Sequence, residues 1–187
     1  MEKEKKWERV TQEFAPVCDE NSRVLILGTA PSRKSREVGF YYGHPQNRFW
    51  KMLAAVTGEE IPQTIEEKKA LLLRNHIALH DVIHSCDIIG SSDSSIRNVE
   101  PADLERILAV TGDIPILCNG GTSYKLFVKH QEKRLGIQAK QMPSTSPANA
   151  AWKLDMLVET WGEALLPILN KEGDERRKSV RNVCIVW

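Results

Sequence analysis

The chain has 187 residues, 41% hydrophobic and 27% charged, with a net charge of +1. That length suits one domain with a sizeable core and is short for two, and the near-neutral balance is not the footprint of a bulk nucleic-acid binder. The longest apolar runs, Val24–Leu27 and Ile114–Cys118, fall far short of a membrane span.

Residues 1–20 mix acidic and basic side chains without an apolar run, so no secretory signal is expected, only a helical lead-in. The first β-rich run is Arg23–Leu27. It leads into GTAPSRKS (28–35), which lacks the glycine and Lys-Ser/Thr pattern of a phosphate-binding loop. Arg33, Lys34 and Arg36 then form a small basic cluster, sufficient for a few phosphate contacts and equally consistent with a solvated loop.

YYGHPQNRFW (41–50) follows and holds four of the twelve Phe, Trp and Tyr residues of the whole chain. Phe49 and Trp50 open a helix predicted over Asn47–Val56 and stopped by Gly58, so they belong to the core. Tyr41 and Tyr42 lie in the loop itself, where an aromatic beside a polar Asn suits stacking on a flat heterocycle. A second helix spans Glu66–Asn75.

Ile77–Ile83 reads as the second strand, running into the loop HSCDIIGSSDSS (84–95). His76, His80 and His84 are four apart. On a strand and its exit, however, they are packing or hydrogen-bonding groups more often than zinc ligands. The cysteines (Cys18, Cys86, Cys118 and Cys184) contain no CxxC pair, which points to free thiols in a reducing cytoplasm.

Pro101–Val110 starts a helix with Pro in its first turn; Ile114–Cys118 is the third strand, Thr122–Leu135 a further helix and Gly136–Met142 the fourth strand. PSTSPANA (143–150) is small, polar and stiffened by two prolines. Asn149 is placed to cap the long helix Asn149–Leu169, and the loop's hydroxyls and backbone N–H groups suit phosphates. The segment after Asn170 is polar and ends in VCIVW, the composition of an added edge strand.

Strands alternating with helices imply βαβ units, hence an α/β fold whose parallel sheet is covered on both faces. A single domain over 1–187 is expected, with its core at about 23–169 and a polar tail over 170–187. Ligands of such sheets sit beyond the carboxyl ends of the strands. That rule gathers the loops after the first, second and fourth strands into one site.

The segments GTAPS (28–32), YYGHPQNRFW (41–50) and PSTSPANA (143–150), with LHDV (79–82) and NGG (119–121), resemble the uracil-DNA glycosylase superfamily, and most closely its hypoxanthine-DNA (deoxyinosine) glycosylase branch. The resemblance covers roughly residues 23–165. It implies a three-layer α/β/α sandwich around a four-stranded parallel sheet, and a monofunctional enzyme that flips a deaminated base from double-stranded DNA and hydrolyses its N-glycosidic bond. Uracil or a G:U/T mismatch is the alternative substrate. A binding module that has lost its chemistry is the alternative of another class.

Most branches place an acidic residue or Asn where this chain has Ala30, and many have Gly or Tyr at the position of Ser32. The resemblance therefore assigns catalysis to Asn47, base binding to Tyr42, Thr29, Ala30 and Asp81, and DNA contacts to Ser32, Ser35, Ser144, Ser146, Pro147, Ala148 and Asn149. It implies no metal, no cofactor, no iron–sulfur cluster and a monomer.

Overall fold

The computed structural model describes residues 6–170. In chain order its elements are β1 (Trp7–Thr11), β2 (Val24–Gly28), α1 (Arg33–Val38), α2 (Phe49–Thr57), α3 (Ile65–Arg74), β3 (Ile77–Asp81), β4 (Ile83–Ile89), β5 (Arg97–Pro101), α4 (Leu104–Thr111), β6 (Ile116–Asn119), α5 (Gly121–Phe127), α6 (Lys133–Leu135), β7 (Ala139–Met142) and α7 (Leu154–Leu169).

Four parallel strands in the order β3-β2-β6-β7 form the central sheet. β2 reads VLILG and is buried at every position, as a central parallel strand must be when helices cover both faces. Its side chains alternate between two cores. Val24 and Ile26 pack with Phe49, Leu53, Trp161 and Leu165 of α2 and α7, whereas Leu25 and Leu27 pack with Leu104, Ile107 and Phe127 of α4 and α5. Each such aliphatic side chain contributes on the order of 1.5–3 kcal/mol by leaving water. The expected three-layer α/β/α arrangement with a four-stranded parallel sheet is thus present.

A second sheet was not expected. β1, β4 and β5 pair antiparallel in the order β1-β4-β5 around Val10, Ile83, Cys86 and Ile88. The N-terminal lead-in is therefore a strand rather than a helix, and the segment after Asp81 continues as β4 rather than a loop. Their outward polar residues hid the pattern: Arg9 donates to the Asp87 carboxylate, the Asn98 carbonyl and the Ser85 hydroxyl, bonds that exist only once the strands have paired.

Smaller boundaries also move. Residues 33–38 form α1 instead of remaining a loop, because the Ser32 hydroxyl accepts the Ser35 N–H as its cap. Pro101 closes β5, and Asp103 caps α4. The helix expected over 122–135 is interrupted by a π turn at Val128–Glu132. Asn149 does not cap α7, which begins at Leu154 behind Lys153. The VCIVW segment lies outside the described residues.

Candidate active site

The carboxyl ends of β2, β3, β6 and β7 open onto one cavity of about 600 Å³, joined by the aromatic loop at 41–47. Thr29, Ala30, Ser32, Ser35, Tyr42, Asn47, Asp81, Ser144, Ser146, Pro147 and Ala148 all line it, so the structure brings together the residues selected from sequence, with one exception. Asn149 lies outside the lining, where its amide donates to the Ser144 carbonyl at 2.9 Å and holds the loop's shape.

Asn47 stands at the centre of a directed chain. Asn119, at the end of β6, donates its amide to Thr145 Oγ1 at 3.0 Å, and that hydroxyl donates to Asn47 Oδ1 at 2.9 Å. The Phe49 N–H donates to the same Oδ1 at 3.0 Å. A backbone N–H can only donate, so the oxygen of the carboxamide must face inward. Among the described residues the Asn47 Nδ2 has no partner, and its two donors are free for a water or a substrate.

Arg48 fastens the two loops to one another. Its guanidinium donates to the carbonyls of Thr145 (3.2 Å), Ser146 (2.5 Å), Asn149 (3.2 Å) and Trp152. The backbone adds Arg48 N–H to the Thr145 carbonyl at 3.1 Å. The motifs at 41–50 and 143–150 contain Arg48 and the fully buried Thr145 but assign neither a role of its own, since each acts on a loop about a hundred residues away.

The two tyrosines part company. Tyr41 is 3% exposed, meets His80 Nδ1 at 2.7 Å and accepts the Trp50 indole N–H on its carbonyl, which makes it core and not a loop aromatic. Tyr42 takes a left-handed backbone at φ 52°, uncommon for a bulky residue and costing on the order of 1 kcal/mol. That turn lays its ring on Phe49, with centroids 4.0 Å apart at 22°, while the residue still lines the cavity. The Tyr42 hydroxyl is buried beside Asn119 but not aligned for a full hydrogen bond, and burial raises its pKa.

Two glycines permit this crowding. A Cβ on Gly28 would meet Asp81 Oδ1 at 2.4 Å, and one on Gly43 would meet the Ser35 Cα at 3.0 Å. Ser35 is itself buried, its hydroxyl accepting the Gly43 N–H at 3.0 Å and the Ser32 hydroxyl proton at 3.1 Å. It supports the aromatic loop from beneath. Ala30 packs against the core of the second sheet, which accounts for an apolar side chain there.

Asp81 closes β3 and is buried against the cavity. Desolvation pushes its carboxyl up to about 7, opposed by the Gln12 amide, which donates to Oδ2. Gln12 follows β1 and carried no signal in the sequence. His80 is held down to about 4 by burial and by neighbouring His84, and β3 and β4 part these two imidazoles. At the mouth, Arg33 and Lys34 pair with Glu37 at 3.3 and 2.7 Å on exposed faces. Such pairs are weak enough to be exchanged for phosphate.

The family model described as the Uracil DNA glycosylase superfamily matches residues 15–165. The chain belongs to the uracil DNA glycosylase superfamily. It is 34% identical over 137 residues to a Methanosarcina acetivorans protein named hypoxanthine DNA glycosylase, covering 73% of this chain and 86% of that one. A Methanosarcina barkeri protein of the same name is 34% identical over 158 residues, 82% of this chain and 96% of its own. The solution NMR structure of a uracil DNA glycosylase candidate from Methanosarcina acetivorans superposes with a TM-score of 0.71 at 30% identity. That match covers 83% of this chain and 96% of the other. Among the described residues no helix is long and apolar enough to cross a membrane.

Proposed function

We propose that the protein is a DNA glycosylase of base-excision repair that removes hypoxanthine from deoxyinosine in double-stranded DNA and leaves an abasic site. The observation that carries this reading is the orientation of Asn47, its oxygen fixed inward and its amide donors free at the wall of a cavity of about 600 Å³.

The deaminated base leaves the stack at a cost of a few kcal/mol, least where it is mispaired. Tyr42, backed by Phe49, offers the flat face on which the flipped purine rests. Thr29 and Ala30 line its edge. Ser32, Ser144, Ser146, Pro147 and Ala148 border the backbone, with Ser35 and Asn149 bracing those loops from behind.

The bond that breaks is C1′–N9, with its electron pair passing to the departing base. The sugar acquires oxocarbenium character, which the DNA phosphates stabilise. Asn47 Nδ2 donates to a water and turns that water's remaining lone pair toward C1′. A neutral amide is a poor base, so its contribution is alignment. The water's proton passes to solvent after the C1′–O bond has formed.

The test is a single-turnover assay at enzyme excess on duplexes bearing inosine, uracil or xanthine, with alkaline cleavage revealing abasic sites. Cleavage at inosine is expected. Preference for uracil would reassign the substrate, and no cleavage on any duplex would leave a DNA-binding module.

A further inference from the structure

The floor of the cavity has a polarity that the base-removal reaction does not by itself explain. Asp81 Oδ2 accepts from Gln12 Nε2. Gln12 cannot be turned over, because its Oε1 accepts the Phe14 N–H at 2.7 Å. Oδ2 therefore always faces a donor. Oδ1 lies against Gly28, close to the buried Tyr42 hydroxyl, and has no hydrogen-bond partner among the described residues.

Among the described residues no cation is paired with this carboxyl. Burial and the Gln12 amide are the influences on it. Tyr41 and Tyr42 stand in its field and are themselves held neutral, while Cys118 on β6 stays a thiol, pushed up to about 12. The other charged or titratable groups lining the cavity are Arg33, Lys34, Glu37, His44 and Asp93, with Lys34 and Arg33 paired to Glu37.

We propose that Asp81 reads the flipped base as a neutral carboxylic acid, its Oδ1–H donating to the base's carbonyl oxygen, and that Gln12 is the positioning residue that fixes which oxygen carries the proton. The inference rests on the glycosylase reading and specifies its substrate edge. Hypoxanthine presents a carbonyl oxygen to this donor. Adenine presents an amino group at the same place, so two donors face one another, a mismatch that disfavours it by about 10–100-fold. As the C1′–N9 bond breaks, negative charge spreads onto that carbonyl oxygen. The hydrogen bond therefore strengthens in the transition state, where an ionised carboxylate would repel.

The experiment is single-turnover cleavage of an inosine duplex between pH 5.5 and 8.5 by the wild type, Asp81→Asn and Gln12→Leu. The wild type is expected to lose rate as Asp81 ionises, by about thirtyfold at pH 8.5 relative to its plateau, 1.5 pH units beyond a midpoint of about 7. In Asp81→Asn the amide oxygen turns to Gln12 and the NH₂ faces the base, so this falling limb disappears. Gln12→Leu removes the donor that favours the carboxylate, and the limb moves to higher pH. A merely structural Gln12 would leave the limb in place.

The proposal is overturned if Asp81→Asn, folded by circular dichroism, retains the wild-type limb or cleaves nothing, or if Gln12→Leu leaves the limb unmoved. A wild type that cleaves no duplex at any pH removes the glycosylase reading, and this proposal with it.

Discussion

Thr145 Oγ1 and Asn47 Oδ1 meet at 2.9 Å, joining loops almost a hundred residues apart and fixing which end of the carboxamide faces the cavity. Asn47→Ala should lower the single-turnover rate on an inosine duplex by about 10²–10⁴-fold while duplex affinity changes little. Thr145→Val keeps the shape but removes the hydroxyl, and a loss of about tenfold in the same rate is expected. Wild-type rates in both variants would refute the water-aligning role.

Arg48 spans four carbonyls, so Arg48→Ala leaves several part-buried acceptors without a donor. A destabilisation of about 2–4 kcal/mol is expected in urea unfolding. Arg48→Lys, a point charge that cannot fork across the loop, should recover only part of it.

Arg33 and Lys34 sit at the cavity mouth in exposed pairs with Glu37. Replacing either by Ala should weaken duplex binding without changing preference among bases. The slope of log affinity against log salt should fall by about one for each cation lost. An unchanged slope places the DNA elsewhere.

Asp81 also bears on stability. Its folded-state pKa lies at about 7, above the ordinary 3.8, so between those values the folded chain holds a proton that the unfolded chain has released. Stability must therefore fall as pH rises through that window, by up to about 4 kcal/mol. Asp81→Asn removes the penalty: its gain over the wild type should be near zero at pH 4 and reach a plateau above pH 7. Burial of His80 acts in the opposite sense, its contribution lost as pH falls from 6.5 toward 4, and it cancels in this comparison.

Gly28→Ala should damage the site more than the fold. The new methyl would stand 2.4 Å from Asp81 Oδ1 and 3.0 Å from the Tyr42 hydroxyl. Both would have to shift, and a fall in cleavage of at least tenfold is expected with urea stability reduced by no more than about 3 kcal/mol.

What could be read from sequence followed from how local the signal is. β2, β3 and β6 were legible because VLILG, IALHD and ILCN carry buried apolar runs, and the crevice rule then gathered Asn47, Asp81 and the 143–150 loop around one opening. β1 and β4 were not, because Arg9, Ser85 and Asp87 become reasonable strand residues only after they have found one another. Tyr41 and Tyr42 are adjacent and alike in sequence. The positive φ at Tyr42 separates them: Tyr41 is buried with its hydroxyl on His80, and the Tyr42 ring lies on Phe49 at the cavity wall. Gln12 had no local mark at all, and Thr145 was marked only as one hydroxyl of the 143–150 loop, since each acts on a partner brought to it by the fold.

The Gln12–Asp81 bond has a consequence for where this enzyme's boundaries lie. The superfamily match begins at residue 15, three positions after Gln12. A chain started there would keep every matched residue and the whole parallel sheet, yet its pocket would lose the amide that orients the carboxyl at its floor. The carboxyl at the pocket floor is thus held by a side chain just beyond β1, ahead of the residues that the superfamily match covers.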